Sequence, residues 1–155
     1  MAATLTSDVY MHTKGFMEED DFSLCVLNNA RKAARAVSRH YDRLARPIGM
    51  TAGQFSVLVA IRQARNASTG ELAGRLSMDR TTLVRNIALL ERKGFVVSTQ
   101  AREARSKRYA LTGEGAALLA KALPLWRKAQ NDVETHLGSE EFLKTINALQ
   151  RLSKL

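Results

Sequence analysis

Apolar residues from Phe22 to Leu44, namely Phe22, Val26, Ala30, Ala33, Val37, Tyr41 and Leu44, recur at steps of four, four, three, four, four and three. Such steps put all of them on one stripe of an α-helix, so the pattern predicts a single helix of about six turns over 21–45. Its other face is a row of cations, Arg31, Lys32, Arg35, Arg39, Arg43 and Arg46. Arg46-Pro47-Ile48-Gly49 ends it, because the residue before a proline is pushed out of helical geometry. Thr51-Ala52-Gly53-Gln54 has the form of a capping box, in which a Thr hydroxyl and a Gln side chain each accept from an open N–H of the first turn. It introduces Phe55, Leu58, Val59 and Ile61 in a second, shorter helix. Ser68-Thr69-Gly70-Glu71 repeats the box before Leu72, Ala73 and Leu76, predicting a third helix of about two turns. Ser77-Met78-Asp79 makes a short turn, and Asp79 caps a fourth helix with Leu83, Val84, Ile87 and Leu90 turned inward. Lys93-Gly94 stops it.

After Gly94 the period shortens to two. Residues 95–99 and 108–112 read as the strands of a hairpin around the basic segment 100–107, which is too long for a two-residue turn. Thr112-Gly113-Glu114-Gly115 opens a fifth helix reaching Leu137, in which Pro124 is expected to bend the axis or mark a local break. Ser139, with Glu140 and Glu141, is expected to cap a sixth, whose apolar positions are Phe142, Leu143, Ile146, Leu149 and Leu152. The fold class expected is therefore mainly α, six helices and one hairpin, with no internal repeat.

Charge sharpens this picture. The chain of 155 residues carries 24 Lys and Arg against 15 Asp and Glu, a net +9, which suits a polyanionic partner as well as simple solubility. Residues 1–21 sum to −4, so the rest carries +13, part of it concentrated in Arg102, Arg105, Lys107 and Arg108. The one cysteine, Cys25, excludes an internal disulfide framework, and no Cys and His pairs stand at zinc spacings, so no metal or cofactor is expected. The longest uncharged stretch, 47–61, is interrupted by polar residues and shorter than the roughly 18 apolar residues of a membrane span. No basic segment leads into an apolar one at the N-terminus, and a cytoplasmic protein without membrane association is expected.

The third and fourth helices with the hairpin behind them make a winged helix-turn-helix, a unit that lays its second helix in the DNA major groove. The outer face of the fourth helix carries Arg80, Thr81, Thr82, Arg85 and Asn86, and Arg and Asn are the residue types that pair with guanine and adenine edges. An ordinary solvated face would look the same. The hairpin loop adds Arg102, Arg105, Ser106 and Lys107, suited to the negative potential of a narrow minor groove.

Here the residues resemble a known family. Glu71-Leu72-Ala73-Gly74-Arg75-Leu76, Asp79-Arg80-Thr81-Thr82-Leu83-Val84-Arg85 and Leu90-Glu91-Arg92-Lys93-Gly94-Phe95 are similar to the winged-helix core of the MarR regulators, the multiple-antibiotic-resistance family. The family's loop pattern Asp-x-Arg-Asp-x-Arg stands here as Gln100-Ala101-Arg102-Glu103-Ala104-Arg105, with both arginines kept and both aspartates changed. Its Leu-Thr-x-x-Gly is Leu111-Thr112-Gly113-Glu114-Gly115. The likeness covers about 24–152. It implies that Arg105 enters the minor groove with Glu103 as its supporting acid, and that the end helices interlock in a homodimer through Phe22, Val26, Trp126, Phe142, Leu143, Ile146, Leu149 and Leu152. The organisation expected is a flexible acidic tail at 1–20, a dimerisation helix at 21–46, the winged helix-turn-helix lobe at 47–112 and dimerisation helices at 113–155.

The function implied is a sequence-specific regulator of transcription, a homodimeric repressor on a palindromic operator of double-stranded DNA. The resemblance also implies a small-molecule effector, an aromatic acid or phenol, with Arg35, Arg39, His40 and Tyr41 as candidate contacts. The alternative is a winged-helix interaction adaptor that no longer reads DNA. Cys25 is expected to be a small buried core residue, the other reading being a redox sensor. No catalytic residue is expected: His12, His40 and His136 are isolated, and Gly113-Glu114-Gly115 lacks the strand and lysine of a phosphate loop.

Overall fold

The first helix starts later than its apolar stripe. In the computed structural model, which describes residues 21–99 and 107–155, Asp21 accepts from the Ser23 N–H at 2.8 Å and caps a single 3₁₀ turn, Phe22–Leu24. Helix α1 then runs Val26–Ala45, so the expected start at Asp21 moves inward by five residues. Cys25 stands between turn and helix, half-exposed rather than buried, since nothing beyond its neighbours packs on that junction. The chain divides after Val37 into two compact units. Among described residues the first holds the 3₁₀ turn and about three turns of α1; the second holds everything from Ser38 on.

In the second unit, a 3₁₀ turn over Arg46–Ile48 and a left-handed Gly49 (φ 69°) end α1. The Asp42 carboxylate accepts from the Ala52 N–H at 2.6 Å, tying the end of α1 to the start of α2, Ala52–Ala64. The Thr51 capping box is complete, and so is the one at Ser68. A strand of two residues, β1 (Ala67–Ser68), precedes α3, Thr69–Leu76; a left-handed Ser77 turns the chain, and Asp79 caps α4, Arg80–Arg92. Strands β2 (Val96–Thr99) and β3 (Arg108–Leu111) form the hairpin. The sheet order is β1-β3-β2, antiparallel throughout, with Ala67 opposite Tyr109 and Ser98 opposite Tyr109 on the other side.

Helix α5 spans Gly113–Leu137 without interruption at Pro124. The bond that proline removes is the one to the Ala120 carbonyl, and both residues are exposed, so water satisfies that oxygen and no break follows. Helix α6 is Ser139–Leu152. Its N-cap is Gly138, not Ser139: the positive φ of Gly138 starts the helix one residue early, and the Ser139 hydroxyl donates to Glu134 at 2.7 Å.

The core of this unit is built where the helical stripes meet. Val57, Leu58 and Ile61 of α2, Leu72 of α3, Leu83, Ile87 and Leu90 of α4 and Leu119 of α5 are all but fully buried, with Val96 and Tyr109 closing them from the sheet. Val84 breaks the expected pattern: it leaves 46% of its surface in solvent, because Leu83 beside it already takes the inward position. Among the described residues no single helix is long and apolar enough to cross a membrane.

Candidate nucleic-acid interface

Helix α4 presents its outer face because its inner one is committed to α2 and α3. Arg80, Thr81, Thr82 and Arg85 are exposed, and the Asp79 carboxylate accepts from the Thr82 N–H at 2.8 Å to hold the first turn. Hydrogen bonding from the Thr82 side chain and then its backbone keeps the Asp79 carboxyl below its ordinary value. Asn86 has a local task instead: its amide donates to the Thr82 carbonyl at 3.0 Å and lies 3.9 Å from the Met78 sulfur. An asparagine that reads adenine needs that amide free, so Asn86 stands apart from the other four.

The root of the hairpin is anchored to this helix-turn-helix. Arg108 donates to the Asn66 carbonyl at 2.8 Å and lies 3.9 Å from the Glu71 carboxylate, which itself accepts from the Ser68 N–H at 2.7 Å. Thr69 donates to the Tyr109 hydroxyl at 3.3 Å in the buried layer beneath. At the far end Thr112 caps α5 by accepting from the Gly115 N–H, and its hydroxyl donates to the Gly94 carbonyl at 2.6 Å. Lys107 is exposed at the foot of β3. Arg102, Arg105 and Ser106 lie outside the described residues, as does the acidic tail expected at 1–20.

A second feature lies where α1 ends beside α5. Tyr41, Met50, Phe55, Leu125, Trp126 and Ala129 line a narrow apolar cleft with room for about one water molecule. Phe55 and Trp126 stack across it with ring centroids 6.4 Å apart. The Tyr41 hydroxyl donates to the Gln130 side chain, and burial pushes its phenol pKa up. His40 Nε2 meets Asp132 at 3.1 Å while its Nδ1 faces Arg43 at 2.8 Å. Since Arg43 can only donate, Nδ1 accepts and Nε2 carries the proton given to Asp132. Of the four effector contacts expected, Tyr41 lines the cleft and His40 is tied beside it, while Arg35 and Arg39 are exposed on α1. Phe55, Met50 and Leu125 were not singled out, because they read only as core positions of a helical stripe.

The apolar positions expected to meet a partner are largely open. Phe22 is 67% exposed and Val26 62% in the first unit; Leu143, Leu149 and Leu152 of α6 are exposed in the second, with Phe142 and Ile146 half-buried. Trp126 differs, since Phe55 of its own chain covers one ring face.

Comparison with known proteins agrees with this geometry. The model of the MarR family matches residues 50–105. An uncharacterised HTH-type transcriptional regulator of Bacillus cereus is 33% identical over 100 residues, 64% of this chain and 67% of that protein. The M. tuberculosis transcriptional regulator MosR, in a crystal structure in complex with DNA, is 38% identical and superposes with a TM-score of 0.77 over 84% of this chain and 94% of its own. A MarR variant from E. coli complexed with operator DNA is 25% identical, with a TM-score of 0.78 over 86% of this chain and 99% of its own.

Proposed function

The chain belongs to the MarR family of transcriptional regulators, and from that premise we propose that it is a homodimeric repressor, without catalytic activity, that binds a palindromic operator in the cytoplasm. Residues 47–112 form the DNA-reading lobe; 21–46 and 113–155 pair with a second copy. The observation that carries the reading is the outer face of α4, where Arg80, Thr81, Thr82 and Arg85 stand exposed on a capped helix whose opposite side is locked into the core. Arg80 and Arg85 contact base edges in the major groove, Thr81 and Thr82 contact phosphates or bases beside them, and Lys107 steadies the wing on the backbone. Arg102, Arg105 and Ser106 complete the contact from the wing, with Arg105 in the adjacent minor groove. An aromatic acid or phenol releases the operator by parting Phe55 from Trp126 beside Tyr41, since a cleft this narrow must open to admit a ring.

Selection of bound sequences from a random duplex pool, followed by affinities at several salt concentrations, tests this. The expected result is an imperfect palindrome and a steep fall of affinity with salt. Arg85→Ala should cost about 1 to 3 kcal/mol and relax preference at one base pair, whereas Arg105→Ala should weaken all sequences more evenly and flatten the salt slope. A chain that enriches no duplex and shows no salt dependence is an adaptor, and the reading fails.

A further inference from the structure

Val84 is unaccounted for by anything the chain does for itself. Its neighbours on the inner stripe, Leu83, Ile87 and Leu90, are 1% exposed or less, whereas Val84 keeps 46% of its surface in water. A valine is also a poorer helix former than the lysine or alanine that would serve on an exposed turn. It lies in a shallow recess with Arg80 one turn before it, Ala88 one turn after it and Lys107 at the foot of the wing. An open hydrocarbon framed by cations suits a partner that is anionic overall and apolar at one point. In the major groove a duplex shows one apolar group, the C5-methyl of thymine.

We propose that Val84 reads a thymine in each operator half-site by packing its two γ-methyls against that C5-methyl. The inference rests on the placement of α4 in the major groove. The branched side chain suits the task because its χ1 is already restricted, so little freedom is lost when it meets the base. The cations on either side bind phosphate or guanine and cannot recognise a methyl. Val84 therefore supplies a kind of information that Arg80 and Arg85 do not.

Deoxyuridine in place of thymine removes that one methyl and leaves every hydrogen-bonding edge intact. Each thymine of the selected operator is replaced in turn, and affinities are measured for the parent, Val84→Ala and Val84→Thr. Loss of one buried methyl should weaken the parent about fourfold at a single thymine position, and about fifteenfold when both half-sites are changed. Val84→Ala should bind the thymine operator more weakly and lose all sensitivity at that position, with its response at other thymines unchanged. Val84→Thr, which keeps one methyl, should fall between. Because position 84 is exposed, Ala there should leave the melting temperature at or above that of the parent. A selected operator with no methyl-sensitive thymine, or equal sensitivity in Val84→Ala and parent, overturns the role of Val84 alone. Failure to enrich any duplex overturns the placement of α4 as well.

Discussion

Gly115 is where one absent methyl group lets two backbones cross. A Cβ built on it would sit 2.0 Å from the Phe95 carbonyl oxygen and 2.9 Å from the carbonyl carbon. Neither chain can step aside, since the same Phe95 oxygen accepts from the Thr112 N–H at 3.1 Å and the Thr112 hydroxyl holds Gly94. Leu-Thr-x-x-Gly is thus a single device, the threonine capping α5 and tying it to the end of α4 while the glycine permits the close approach. Gly115→Ala should cost about 2 to 3 kcal/mol, read as a lower denaturant midpoint at unchanged slope. Gly74→Ala is the opposite case: a helical position of α3 with nothing within 4 Å, where the change should add about 0.5 to 1 kcal/mol. A similar small effect at both sites would show that the Phe95 contact does not govern. The sequence marks Gly115 by its motif but not the reason for it, because the crossing strand end lies twenty residues upstream. Val84 was misread for a different reason. With Leu83 and Val84 adjacent, a stripe about 100° wide accommodates either as its inward member, and only the positions of α2 and α3 decide.

At the scale of elements, what could be read was what is local. The caps at Thr51, Ser68, Asp79 and Thr112 each join residues three apart, so sequence spacing alone locates four helix starts. Strand β1 could not be read, since its two residues become a strand only by pairing with Tyr109 and Arg108, some forty residues on. The cleft was equally hidden: Tyr41, Phe55 and Trp126 come from three helices and their meeting is tertiary. The caps also dictate how the lobe responds to acid. Hydrogen bonding from Ser68 keeps Glu71, and from Thr82 keeps Asp79, below ordinary values of 4.5 and 3.8. Above about pH 5 both are ionised whether the chain is folded or not, and the caps contribute fully. As pH falls below those values the unfolded chain takes up protons first, so stability declines until the folded carboxyls titrate in turn. Glu71→Gln and Asp79→Asn keep an accepting oxygen but cannot titrate. The pair together should give a measurably shallower loss of stability between pH 5 and 3 in denaturant titrations, with the remaining slope coming from Asp132 and Glu140, which are also lowered. An unchanged slope would mean that these caps play no part in acid sensitivity.

For the whole molecule, apolar surface and charge make separate demands that can be tested against each other. Leu143 and Leu149 of α6 are 61% and 50% exposed. Open leucines on a helix end that a single chain leaves uncovered are expected to pair with a second copy, over more than the roughly 1,600 Å² of a standard interface. That contact is apolar, and salt should not weaken it. DNA binding by a chain of net charge +9 runs the other way, since added salt competes for the phosphates. Sedimentation at micromolar concentration should therefore give twice the 17.2 kDa chain mass at low and high salt alike, while operator affinity falls steeply across the same range. Leu143→Glu with Leu149→Glu should yield the single-chain mass, and its melting temperature should lose the concentration dependence expected of the parent. Its DNA affinity should drop to that of one half-site and become indifferent to the spacing between half-sites. The parent should instead require centres about 34 to 36 Å apart, because two α4 helices in one rigid dimer reach successive major grooves only at that interval. A parent that sediments as one chain yet still demands that spacing would place the pairing on DNA rather than in solution.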